Sequence, residues 1–342
     1  MTRSCARSRM AARPRRGTPR RAIRFRIEGG SHAHAHPARQ CLASTLLCAE
    51  PASAAWKTTV YSPPGSPGFT WLWGVNASGM IVGQDDFGGL LLDHGVATAV
   101  NPPGTLAALT GISNSGLIVG SYFDGTGTVQ TSFLDQSGTF TSFALPGESN
   151  TSIRSISANG RYLAGTYTDG ASVLQGFVFD RDTATTTTIP LAAGQSINVV
   201  QGVNDAGDVT GSYTGAGSFI FSLSTHTELA VTSAAGLTDI RLRAINDAGQ
   251  VAGWATSATG TLVGILGTPT GGFDTFEVDP GGQTVLYGLN DDGEAVGFVV
   301  DAAGNNQGLI VQAVGTVPEP LPAALLASGS ALLAALRRRR VR

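Results

Sequence analysis

Gly202-Val203-Asn204-Asp205-Ala206-Gly207-Asp208-Val209-Thr210-Gly211-Ser212-Tyr213 is one copy of a phrase that the chain repeats six times. An apolar residue ends one strand. Asn, Ser or Asp then opens a tight turn, because a short polar side chain can bond the backbone just ahead. Glycine supplies the positive φ that a type I turn with a bulge requires at its last position. A short apolar pair and a second glycine begin the return strand. The phrase therefore reads as a β-hairpin.

The other copies are Gly74-Val75-Asn76-Ala77-Ser78-Gly79, Gly111-Ile112-Ser113-Asn114-Ser115-Gly116, Ser155-Ile156-Ser157-Ala158-Asn159-Gly160, Ala244-Ile245-Asn246-Asp247-Ala248-Gly249 and Gly288-Leu289-Asn290-Asp291-Asp292-Gly293. Their second glycines are Gly83, Gly120, Gly165, Gly253 and Gly297. In the copy ending at Gly160 the asparagine stands next to the glycine and the spacing to Gly165 is one longer, which predicts a different bulge there. The turn glycines lie 37, 44, 47, 42 and 44 residues apart, a period of solenoids, propellers or arrays.

Working outward, each hairpin is followed by a third apolar segment, such as Gly176-Phe177-Val178-Phe179-Asp180. A fourth follows most of them, at residues 96–101, 139–145, 185–191, 227–232 and 273–278. All are rich in Thr, Val, Phe and Ile, as strands are. Four short strands in about 43 residues match a propeller blade rather than a two-helix repeat. The sixth unit stops at Gln312 without its fourth strand, and an unpaired strand, Lys57-Thr58-Thr59-Val60-Tyr61, precedes the first. The count balances if the first strand completes the last sheet. The expectation is an all-β, six-bladed β-propeller over residues 55–316, closed by pairing residues 57–61 with residues 308–312.

The flanks differ from this body. Of the 22 basic residues, eleven precede Ala55 and five lie in the last six positions. Between Ala55 and Thr316 there are 6 basic and 21 acidic side chains, so the body carries about −15. That excludes a nucleic-acid footprint, which needs clustered Lys and Arg. Cys5, Cys41 and Cys48 all precede Ala55, so the body holds neither a disulfide nor a cysteine-based zinc site. Residues 1–38 are Arg-rich with few apolar groups. They read as a disordered arm, or as a segment upstream of the true translation start, and not as an RNA-binding or metal-chelating element. Residues 39–54 read as a signal peptide, with small residues Ala52 and Ala54 before a cleavage site and Ala55 the first mature residue.

At the other end stand Val317-Pro318-Glu319-Pro320, an apolar run over residues 321–336, and Arg337-Arg338-Arg339-Arg340-Val341-Arg342. Sixteen residues of helix span roughly 24 Å, and flanking arginines can snorkel to make up the membrane's thickness. A single transmembrane helix is expected here, with the arginines cytoplasmic and the propeller outside. These residues resemble a PEP-CTERM sorting signal of Gram-negative bacteria. The resemblance implies an exosortase-like sorting protease that recognises Pro318, Glu319 and Pro320, a transient membrane anchor, and delivery to the cell surface or beyond. The Asn-x-x-Gly hairpins resemble HAF-type extracellular repeats, which carry no assigned chemistry.

Within the body, no constellation points to catalysis. His94 and His226 sit at different points of their repeats by this reading, and neither lies beside a nucleophile motif. Asp205, Asp208, Asp247, Asp291, Asp292, Glu294, Asp85, Asp86 and Asp301 invite a calcium reading, but turn formation accounts for them. Thr185 to Thr188 read as a solvated strand, and Trp71, Trp73 and Trp254 as sugar-stacking candidates or core. No cofactor is expected. The function expected is a non-catalytic, exported surface or extracellular-matrix protein that binds polysaccharide or a matrix protein through a propeller face. A hydrolase or lyase acting on extracellular polysaccharide is the alternative. Acid, base and Arg groups converging on the channel mouth favour the enzyme, and a small apolar lining favours the binder.

Overall fold

The computed structural model describes residues 55–314 apart from 67, 124–129 and 216. The described residues form 24 strands. Strand β1 (Ala55–Tyr61) comes first. Blade one is β2 (Thr70–Val75), β3 (Ile81–Asp85), β4 (Gly88–Asp93) and β5 (Val96–Ala99). Blade two is β6 (Ala107–Ile112), β7 (Ile118–Phe123), β8 (Gln130–Gln136) and β9 (Thr139–Phe143). Blade three is β10 (Ser149–Ile156), β11 (Tyr162–Thr168), β12 (Leu174–Asp180) and β13 (Thr185–Thr188). Blade four is β14 (Ile197–Val203), β15 (Val209–Tyr213), β16 (Ser218–Ser222) and β17 (Thr227–Val231). Blade five is β18 (Leu237–Ile245), β19 (Val251–Ser257), β20 (Leu262–Thr268) and β21 (Gly272–Phe276). Blade six takes β22 (Gln283–Leu289), β23 (Ala295–Val300) and β24 (Asn306–Val314), and β1 is its fourth strand.

The ring is therefore latched as the strand count required. Lys57 pairs with Gln312 and Tyr61 with Gly308, and the ladder runs on to Ala55 opposite Val314. Inner strands of successive blades touch, and β22 returns to β2. The architecture is a six-bladed β-propeller. Among the described residues no helix is long and apolar enough to cross a membrane. The expected signal peptide, Ala54, the sorting motif Val317 to Pro320, the membrane helix and Arg337 to Arg340 lie outside the described residues.

Six apolar clusters hold the six seams between blades. Val82 of blade one packs with Leu109 and Phe133 of blade two, and Val178 of blade three with Val200 and Phe219 of blade four. The closing seam joins Leu72 and Leu90 to Val296, Tyr61 and Ile310. A fully buried Phe contributes about 1.5–3 kcal/mol. The fourth strands end sooner than their composition suggests, and Leu145 and Ile189, just past the ends of β9 and β13, bury in seams instead.

Each repeated residue has a mechanical duty. The turn glycines, Gly79 to Gly293, have φ between 73° and 81°. The glycine two residues into the return strand is required by close approach: a Cβ on Gly297 would fall on the carbonyl oxygen of Val285. The first residue of the phrase is small because inner strands converge at the axis. A Cβ on Gly288 would lie 2.9 Å from the Trp73 carbonyl and 3.0 Å from Gly74 Cα.

The asparagine does two jobs. Asn76 Oδ1 accepts from the N–H of Ser78 and Met80, and Asn76 Nδ2 donates to the Ser113 carbonyl of the next blade at 3.1 Å. Asn204 reaches Asn246, Asn246 reaches Asn290, and Asn290 reaches Asn76 at 3.0 Å, which closes the circle. Ser113 and Ser157 are too short to cross. At those two junctions a backbone N–H one or two residues further on bridges: Asn114 N–H donates to the Ala158 carbonyl, and Asn159 N–H to Asp205 Oδ1. The longer copy places its extra residue in the turn, with Ser157 N–H bonding the Tyr162 carbonyl, and its strand bulge matches the other five blades.

Replacing Asn290 by Ala strands the Glu294 N–H and removes one of the two bonds to the Asn76 carbonyl, which keeps the Gly79 N–H. The expected cost is about 1–3 kcal/mol in urea unfolding. Gly297→Ala is expected to cost at least as much, by forcing β22 and β23 apart.

Candidate functional site: the central channel

Every inner strand carries a β-bulge at the same place. The register shifts between Leu72 and Gly74, Leu109 and Gly111, Ile153 and Ser155, Val200 and Gly202, Leu242 and Ala244, and Leu286 and Gly288. A bulge leaves one residue unpaired and re-aims its side chain. The six bulged residues are Trp73, Thr110, Arg154, Gln201, Arg243 and Tyr287, and all six line the central channel. The channel is narrow, with about 60 Å³ open to water-sized occupants. The turns frame one end of it, where Asn114, Asp247 and Asp291 contribute to the lining.

Charge in this ring is one-sided. Burial holds the Arg154 and Arg243 guanidinium groups below the ordinary arginine range, with the Tyr287 hydroxyl opposing the shift in each. Arg241 and Arg154 push Arg243 further the same way. Arg243 is 8% exposed, its Nη1 donates to Ser212 Oγ at 3.3 Å, and its Cζ lies 5.8 Å from the Tyr287 ring centroid. The Nε atoms of Arg154 and Arg243 are buried with no hydrogen-bond partner, and no carboxylate among the described residues lies within ion-pair distance of either. Arg241, two residues earlier on β18, is satisfied. It pairs with Asp239 at 2.8 Å, donates to the Tyr213 and Gly215 carbonyls, and lies over Trp254.

An aromatic chain flanks the ring at the seam of blades one and six. Phe69 contacts Trp71, Trp71 stacks on Trp73 at 6.1 Å and meets Phe298, and Phe298 stacks on Tyr287 at 5.9 Å. Trp71 and Trp73 are thus together and half-buried, while Trp254 is elsewhere, on blade five.

The turn carboxylates are occupied by backbone. Asp205, Asp247 and Asp291 each accept an N–H from the preceding blade's turn at 2.8–2.9 Å. Asp86 accepts from Gly68 N–H and Ser66 Oγ, and Asp301 from the N–H of Ala303 and Asn305. Among the described residues no three His, Cys, Asp or Glu side chains group as metal ligands. The two histidines correct the sequence reading. They occupy the same place, the hairpin between third and fourth strands, both with left-handed φ, 47° at His94 and 52° at His226. That hairpin is outermost on the blade, far in topology from the inner strand. The Thr185 to Thr188 strand is likewise outermost and largely exposed.

Of the channel ring, only Trp73 stands out from the sequence by residue type. The other five are legible solely by their position, immediately before the phrase. The lining is mixed: Arg154 and Arg243 share it with Asp247 and Asp291 at the turn end and with aromatic and amide side chains, so it is not the small apolar surface expected of a binder, and it holds acids and arginines without a histidine.

No protein-family model matches the chain and no curated protein matches it. It is similar to the solved structure of a putative TolB from Agrobacterium tumefaciens, with a TM-score of 0.50 and 14% identity over 77% of this chain and 100% of that one. A gluconolactonase from Xanthomonas campestris gives a TM-score of 0.49 at 12% identity, over 73% of this chain and 88% of that one. A puromycin hydrolase gives 0.44 at 16% identity, over 80% of this chain and 49% of that one. At these identities the likeness is one of fold.

Burial and the neighbouring Asp205 charge raise the Asp247 carboxyl above its ordinary value, with the Asp205 N–H opposing. A raised acid binds more protons in the folded state, so its charged form is penalised at neutral pH. Asp247→Asn keeps the acceptor and removes the charge. It is expected to raise the melting temperature near neutral pH, and the gain is expected to vanish below the ordinary Asp value of about 3.9.

Proposed function

We propose that this chain is an exported, non-catalytic protein of the cell surface or extracellular matrix, which binds a polysaccharide or a matrix protein through the propeller's channel face. The observation that carries the reading is the chemistry of the channel ring. Two guanidinium groups, an amide, a hydroxyl and two aromatic rings form a set suited to holding a polar ligand against flat apolar walls. Proton transfer by a pair of carboxylates needs free acids at the reacting centre; the bulge ring contributes none, and Asp247 and Asp291 at the turn end each accept a backbone N–H.

Sorting rests on the ends of the chain. Signal peptidase is expected to cut between Ala54 and Ala55, which frees β1 to close the last blade. An exosortase-like protease acts at Pro318, Glu319 and Pro320, while the apolar run holds the protein in the membrane and Arg337 to Arg340 stay cytoplasmic. Nucleic acid is not a partner, because the body is acidic.

Two measurements test this reading. In a Gram-negative host with an exosortase, the full chain should lose its tail and leave the membrane fraction, and Glu319→Ala should accumulate there unprocessed. Equal processing of both would count against the sorting signal. The full chain, purified in mild detergent, should retain polysaccharides on an array and release no shortened or unsaturated products. Release of such products would establish the hydrolase or lyase instead.

A further inference from the structure

The body has six basic side chains against 21 acidic ones. Arg161 is paired with Asp180 at 2.8 Å, Arg241 with Asp239 at 2.8 Å, Arg181 donates to the Gly160 carbonyl, and Lys57 is exposed on β1. The remaining two, Arg154 and Arg243, point into one channel from blades three and five, with buried Nε donors unbonded. Placing two like charges in a low-dielectric channel without a counter-charge is costly, and each guanidinium stays protonated whatever its surroundings. Of the carboxylates, Asp247 and Asp291 line the same channel at its turn end, but neither is in ion-pair contact with these two groups, and both are taken by backbone N–H groups. Water in the channel can solvate the donors but brings no charge.

The channel's size and walls narrow what can. A volume of about 60 Å³ corresponds to a handful of waters, enough for one small oxyanion and the carbons beside it. A guanidinium offers two parallel N–H groups that match a carboxylate fork. Trp73 and Tyr287 give that anion's carbon frame two flat faces, and Gln201 and Thr110 add polar contacts on the same ring. The body's charge of about −15 opposes anions in proportion to their charge, which disfavours a dianion or a polyanionic strand and least disfavours a single carboxylate.

We infer that the channel is a binding site for one carboxylate, held between Arg154 and Arg243 and presented on a small sugar-acid frame that lies against Trp73 and Tyr287. The inference rests on the reading of the channel as the binding face, and names the ligand chemistry of that face.

The test is calorimetric titration of the full chain in mild detergent with D-glucuronate, D-glucose, acetate and sulfate at matched ionic strength. Glucuronate is expected to saturate one site per chain, acetate to bind the same site more weakly, and glucose to give no signal. Arg154→Gln and Arg243→Gln should each weaken glucuronate roughly tenfold or more, while Lys57→Gln, which removes the same charge elsewhere, should not. Without ligand, both channel variants should melt no lower than the parent, because an unpaired buried charge is gone, and glucuronate should raise the melting temperature of the parent alone. The inference is overturned if no anion binds saturably, if both channel variants bind glucuronate like the parent, or if sulfate binds more tightly than glucuronate. An array that retains polysaccharide undiminished by Arg154→Gln and Arg243→Gln sinks this inference and leaves the proposed function standing. Glucuronate binding with an empty array does the reverse.

Discussion

The structure depends on a hydrogen-bonded circle near its axis. Six hairpin turns must each bond the next, since the sheets present only edges and faces that would otherwise face water. Asn76, Asn204, Asn246 and Asn290 do this with buried side-chain amides, each folding its own turn with Oδ1 and gripping a neighbour with Nδ2. A buried amide that loses its partner carries the full cost of desolvation, so the circle is cooperative: it is satisfied as a whole or poorly at all. Where serine replaces asparagine, the backbone of Asn114 and Asn159 carries the bond instead, and in the Asn159 copy the turn is one residue longer.

Closeness at the axis explains the rest of the repeat. Strands drawn together by those bonds leave no room for a Cβ at Gly74, Gly202 or Gly288. The bulge that follows from the crowding frees one residue per blade and turns its side chain into the channel. Glycine opposite the bulge, as at Gly297, admits the displaced carbonyl. The scaffold thus frees six positions whose chemistry the ring does not dictate, and a closed propeller presents those six side by side.

Charge is distributed to match. Many acidic side chains lie on turns, where Asp205, Asp247 and Asp291 serve as acceptors for backbone N–H groups. The half-buried Arg161 pairs with Asp180, whose carboxyl is held well below the ordinary range by that guanidinium. The bulge ring of the channel runs the other way, with two arginines and no carboxylate, and aromatic rings beside them. A surface that repels anions with a centre that attracts one is a device for selecting small ligands over large ones.

The repeat period, the turn chemistry and the missing fourth strand at Gln312 were enough to read a six-bladed, strand-latched propeller from sequence, because turns and strand counts are local properties. The roles of Asp205, Asp247 and Asp291 as structural acceptors were half legible: their residue type suits a turn, but the partner N–H lies on another blade 42 to 46 residues away. His94 and His226 read as unlike because their flanks differ, and only the blade superposes them on one hairpin. Arg154 and Arg243, 89 residues apart, carried no signal by residue type, only the shared position immediately before the phrase. Tertiary structure alone decided that they share a channel, because closure of the ring converts one position in each repeat into a single site. The sequence determined the blade; closure decided what the blades enclose.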